Sequence, residues 1–183
     1  MVVSPPSVPL MKVVECEVPP TSELGSEFIE SADFVNGYRV PLGHGDANVI
    51  DVFFAIFGHY PMWIKAILMA RNRLASWCGL DAASASELRH FQNKKHYRVG
   101  DKIGVWPIFT LTPSELIAGR DNKHLDFRLS LLKSANSEPD SVTVSTVCKV
   151  HNTFGKIYLA CVIPFHQWGI QRLISQAIRA GRL

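Results

Sequence analysis

The sequence predicts an α+β fold: an antiparallel, bent sheet wrapped around a long C-terminal helix, with a helix pair after the first strand. Three observations carry this. Helical spacing of apolar residues ends near Gly79, and after Gly100-Asp101 it gives way to strand-like segments. Those segments are separated by short turns, which join antiparallel neighbours because parallel strands need long crossovers. The chain then closes on one long amphipathic stretch, Pro164 to Ala180.

Taken in order, residues 1–36 read as an arm plus one short strand, Val13 to Val18, closed by Pro19-Pro20. This divides the chain into an N-terminal arm at 1–30, partly disordered, and a single domain at 31–183. Tyr38 to Leu42 alternates and then meets the turn signal Gly43-His44-Gly45. Asp46 is placed to cap a helix from Ala47 to Phe57, which Gly58 ends. A second helix begins at Pro61, a position suited to a first-turn proline. Its stripe Trp63, Ile67, Ala70, Leu74 and Trp77 follows helical spacing, and Gly79 stops it. Residues 81–100 are polar and loop-like. The candidate strands are Ile103 to Trp106, Ile108 to Leu111, Glu115 to Gly119, His124 to Leu132, Val142 to Val150 and Lys156 to Val162. In the last helix His166, Ile170, Leu173, Ile174, Ala177 and Ile178 form the inward stripe, with Gly181 beyond its end.

Composition bounds the class. A chain of 183 residues with 47% hydrophobic and 19% charged residues has a sizeable core and is not globally disordered. Nineteen Lys and Arg against sixteen Asp and Glu leave a net charge of +3, too weak a bias to imply nucleic acid. The aromatic and basic stretch Arg89 to Arg98 reads as a solvated loop rather than a single-strand binder. No run of 18 apolar residues exists, so no membrane span is expected. The N-terminus lacks the pattern of a signal peptide, which points to the cytoplasm. Cys16, Cys78, Cys148 and Cys161 are far apart and form no CxxC pair, so reduced thiols are expected. Phosphate-binding, dinucleotide, nucleophile-elbow and HExxH motifs are all missing, which excludes the commonest nucleotide enzymes, hydrolases and zincins. No cofactor and no metal are expected.

The strand from His124 holds the most chemistry. Period two puts Leu125, Phe127, Leu129 and Leu131 on one face, and His124, Asp126, Arg128 and Ser130 on the other. Asp126 is then placed to pair with Arg128 and to orient His124, the arrangement a general base needs. Ordinary charge pairs on a solvated sheet face are the plainer alternative. If this strand and the next form a hairpin, His151 returns to the end where His124 lies, giving His124, Asp126 and His151 as catalytic candidates. His166, on the apolar stripe, is either a core histidine bonded to a carbonyl or a polar group inside a ligand cavity.

Strings across the chain resemble a family. Val99-Gly-Asp-Lys-Ile-Gly-Val-Trp-Pro-Ile, Asp121-Asn-Lys-His-Leu-Asp-Phe-Arg and the tail from Val142 through His151-Asn and Gly155-Lys-Ile-Tyr-Leu to Pro164-Phe-His are similar to a bacterial domain of unknown function, number 2867. The resemblance runs from about Asp33 to the C-terminus. It implies a helix-grip fold of the START and polyketide-cyclase type, with a cavity between sheet and terminal helix, and it supplies no activity. The expectation is a binding module for a small apolar or lipid-like ligand, with Asp126, Arg128, His166, Ile170 and Ile174 contacting it. The alternatives are a cyclase, dehydratase or isomerase, and an accessory domain docking on a separate reductase, since some relatives carry a reductase domain. A homodimer is compatible with these readings.

Overall fold

The computed structural model describes residues 13–43, 46–59, 94, 96–134 and 140–183. The predicted helix from Pro61 to Trp77, Cys78 and most of the Arg89–Arg98 stretch lie outside the described residues, as does the arm before residue 13.

Seven strands form one open sheet: β1 (Val14–Cys16), β2 (Phe34–Pro41), β3 (Lys102–Ile103), β4 (Trp106–Leu111), β5 (Glu115–Asp121), β6 (Leu125–Ser134) and β7 (Ser141–Val150). Their spatial order is β1-β2-β7-β6-β5-β4-β3, and every neighbouring pair is antiparallel. Among the described residues there are three helices: α1 (Ser26–Glu30), α2 (Val49–Phe57) and α3 (Thr153–Arg179). The α+β class, the antiparallel sheet and the long terminal helix stand as the sequence predicts, and the arrangement is consistent with a helix grip.

Alternation along the strands builds two apolar layers. Leu116, Ala118, Leu129, Leu131, Val142 and Val144 point into the main core with Phe53, Ile56 and Phe57 of α2 and Ile170, Leu173 and Ile174 of α3. On the opposite face Ile117 and Val147 pack with Leu24, Val18, Phe28 and Ile29. The first eight residues of β7 are consequently buried without interruption, as in a strand covered on both faces.

Four local expectations change. Lys156 to Val162 is not a strand; it is the second and third turns of α3. Asn152 starts that helix, its Oδ1 accepting from Gly155 N at 3.0 Å, and this cap overrides the apolar run that looks like β. Pro164 therefore sits inside the helix, on its exposed side, and does not begin it. Asn48, not Asp46, caps α2, accepting from Asp51 N at 2.9 Å. Ile103 to Trp106 is broken by a turn at Gly104, whose φ of 58° suits glycine, so Trp106 opens β4 instead.

Candidate functional site

The β6–β7 hairpin brings His124, Asp126 and His151 to one end of the sheet. His151 N donates to His124 O at 2.9 Å, just beyond the last paired residues, Leu125 and Val150. The imidazole that Asp126 holds is that of His151, with Nε2 3.0 Å from Asp126 Oδ1, and not that of His124. Both side chains are partly exposed, 35% for His151 and 21% for Asp126. The carboxylate fixes the proton on Nε2 and leaves Nδ1 as the basic nitrogen, an orientation general-base chemistry uses.

His124 has a different environment. Asn122 Oδ1 accepts from the His124 and Leu125 amides, and the His124 ring tilts against Phe154 with centroids 4.9 Å apart. Its Nδ1 lies 3.2 Å from Asn152 Oδ1, an acceptor, so Nδ1 carries the proton. Nε2 is enclosed and makes no hydrogen bond among the described residues, so it is not offered to a substrate. The His124 side chain thus fastens the start of β6 to the start of α3. Gly155 allows the approach: a Cβ there would lie 2.3 Å from His124 O.

Arg128 does not pair with Asp126. Both of its Nη atoms donate to Asp121, at 3.0 Å for Nη2 to Oδ2, and its guanidinium lies 3.7 Å over the Phe109 ring and 5.4 Å from that of Phe28. His166 meets Phe34 edge to face at 6.0 Å. Ile170 and Ile174 are core residues, with Ile174 fully enclosed. The five residues expected around one ligand therefore occupy four separate surroundings. Among the described residues no three His, Cys, Asp or Glu side chains converge to hold a metal ion.

A groove of about 510 Å³ opens elsewhere. Its walls are the first turn of α2 (Asn48 to Asp51), the residues Lys94, His96 and Tyr97, and the β4–β5 turn from Leu111 to Pro113. Val49, Ile50, Leu111 and Pro113 supply apolar surface; Asp51, Lys94 and His96 supply polar groups. Asp101 secures the Lys94 side of the groove, accepting from Lys94 Nζ at 2.9 Å and Arg98 N at 3.0 Å, and these bonds hold its carboxyl below the usual carboxylate range. Tyr97 is anchored by ring contact with Phe54. The signal in the sequence was the mixing of Tyr97 with Lys94 and His96, which composition alone cannot separate from a solvated loop.

No helix among the described residues is long and apolar enough to cross a membrane. No curated protein and no solved structure matches the chain. Residues 28–173 match the model of the family described as Protein of unknown function (DUF2867), and the chain belongs to that family.

Proposed function

We propose that this protein binds a small amphipathic molecule in the groove between the first turn of α2 and the β4–β5 turn. The observation that carries the reading is the groove itself, whose 510 Å³ falls in the range of small-molecule sites and whose lining is mixed apolar and polar. The space between sheet and α3, where the resemblance would put a ligand, holds Phe53, Ile56 and Phe57 of α2 against Ile174. That favours the groove over the interior as the ligand's position. Native mass spectrometry of protein purified from its own cells would reveal a co-purifying molecule. An anilinonaphthalene-sulfonate probe supplies the second test. Leu111→Asp should weaken the probe by about tenfold or more, since a carboxylate would sit on the apolar wall. Unchanged probe affinity in that variant, or no probe bound by the wild type, would defeat the reading.

A second reading, an acid–base enzyme of the isomerase or dehydratase type, rests on the 3.0 Å pair between His151 and Asp126. It predicts turnover of an enolisable substrate that His151→Ala abolishes while probe binding at the groove persists. Turnover surviving in that variant would remove it.

A further inference from the structure

We propose that the groove takes an amphipathic amine, with its ammonium group on the Asp51 carboxylate and its apolar body on Val49, Ile50, Leu111 and Pro113. This rests on the groove being the binding site and adds the chemical class that the site selects.

The charges decide the class. Asp51, Lys94 and His96 are the acidic and basic side chains of the lining. Lys94 is already paired, its Nζ donating to Asp101 Oδ1 at 2.9 Å. Asp101 keeps that role into acid, because Lys94 and the Arg98 amide hold its carboxyl below the usual range. An anion arriving at Lys94 therefore meets a pair with no net charge. Lys133, another cation near the start of α2, donates its Nζ to Ala47 O and does not line the groove. Asp51 has no such counterpart. Its amide donates to Asn48 Oδ1 at 2.9 Å and its Oδ2 accepts from Asn48 Nδ2 at 2.6 Å, both neutral partners. Among the described residues no Lys, Arg or His forms an ion pair with it, and nothing donates to its Oδ1. The helix dipole accounts for an acid in the first turn of α2, but it leaves that oxygen open to a donor.

The surroundings suit the same class. Asp51 follows Val49 and Ile50 in the first turn, so the carboxylate borders the apolar wall. Tyr97 adds an aromatic ring, a surface whose face attracts a cation, and the ring is held against Phe54 with centroids 6.1 Å apart. In its neutral form His96 offers a ring nitrogen that accepts a further ammonium proton. A volume of about 510 Å³ holds an aromatic ring on a short alkyl chain.

Three ligands that share one apolar body test the assignment: phenylpropylamine, phenylpropanol and phenylpropionate. Each is titrated into the full chain, and the amide NMR shifts of Ile50, Asp51, Leu111 and Thr112 are followed. The amine should bind about fivefold to tenfold tighter than the alcohol, the worth of one charge-assisted contact at an open site. The carboxylate should bind no tighter than the alcohol. Asp51→Asn keeps the shape of the side chain and removes its charge, so it should bring the amine down to the alcohol and leave the alcohol where it was. Should that variant disturb α2, the wild type decides: salt that shortens the screening length to about 3 Å should close most of the gap between amine and alcohol. The failures separate. If the alcohol shifts these amides but the amine binds no tighter, or the carboxylate binds tightest, the amine class is overturned and the groove stands. An amine that keeps its advantage in a folded Asp51→Asn chain overturns it equally. If none of the three ligands shifts these amides, the groove is not the site and both readings fall.

Discussion

Asp121 and Asp126 stand directly opposite each other on β5 and β6, and this decides the pairing at the end of the sheet. Two facing carboxylates repel, and each is drawn to a cation or imidazole lying diagonally across a strand pair. Asp121 takes Arg128, whose own opposite residue is Gly119, and Asp126 takes His151, two residues beyond its opposite residue Lys149. Alternation along β6 was enough to place Asp126 and Arg128 on one face, and hairpin logic was enough to bring His151 beside His124. The choice of partners was not legible, because it depends on the register with β5. Glu115 was not legible either: the sequence around it looks like an ordinary strand edge. Yet it is 1% exposed and accepts from Ser22 Oγ at 2.6 Å, Glu23 N at 2.7 Å and Ser130 Oγ at 2.5 Å. Glu115→Ala strands three donors and should destabilise by about 2–4 kcal/mol in chemical denaturation; a loss under about 1 kcal/mol would show that water replaces the carboxylate. Asp101 allows a pH test. Its folded-state pKa is lowered by Lys94 and the Arg98 amide, so its contribution is complete above the usual carboxylate range and is lost as pH falls through the lowered value. The Arg98 amide resonance should titrate below that range, and Asp101→Asn should abolish the titration; a midpoint at or above the range would contradict the bond.

At the scale of elements, α3 is where periodicity misled. Its first turns are apolar almost all round, so neither a 3.6 nor a 2.0 period stands out, and Pro164 looks like a beginning. The decisive signal was Asn152 followed by Gly155, a cap whose meaning depends on β6 lying beneath it. Gly155→Ala separates the two influences. Helix propensity alone would favour alanine by up to about 1 kcal/mol. The added Cβ, however, would meet His124 O at 2.3 Å and Val150 Cγ1 at 2.8 Å, and a backbone carbonyl cannot swing aside. Net destabilisation of roughly 1–3 kcal/mol is expected, with a shifted His124 ring signal in NMR as the cap is pushed off. A gain in stability would mean that α3 begins further from β6. Farther along, the C-terminal stripe was legible, since Ile170, Leu173, Ile174 and Ala177 are buried as spacing predicts. Ile174 is 0% exposed against α2 and the sheet, so Ile174→Trp overpacks the site and should cost roughly 1–3 kcal/mol. A wild-type midpoint in that variant would point to room between helix and sheet.

The whole molecule is a sheet covered on both sides, and the second cover comes from a segment the sequence marks only as an arm. Val18 to Ala32 lies across the face opposite α2 and α3, with Leu24 against Ile117 and Val147. Ser22 and Glu23 hydrogen-bond to Glu115, and β1 extends the sheet beside β2. Low apolar content and paired prolines hide this role, because a strap that docks on another element needs no periodicity of its own. A chain beginning at Ser31 tests how far the sheet depends on it. Asp33 stays in place, donating its amide to Cys148 O at 2.9 Å and accepting from Val150 N at 2.7 Å, so β2 and β7 keep their pairing. What is lost is β1, the cover over Ile117 and Val147, and two of the three partners of a carboxylate that stays at the sheet surface, Ser130 being the third. Burial of one leucine contributes about 1.5–3 kcal/mol, and each hydrogen bond to a charged group about 1.5–3 kcal/mol. Freeing some fifteen residues from one conformation offsets part of this, though the strap is pinned at few points. The truncated chain should lose about 3 kcal/mol or more in denaturant and expose β5–β7 amides to faster hydrogen exchange. Were residues 31–183 sufficient alone, the midpoint and the exchange pattern would match the full chain, and the strap would be a passenger on a sheet that closes without it.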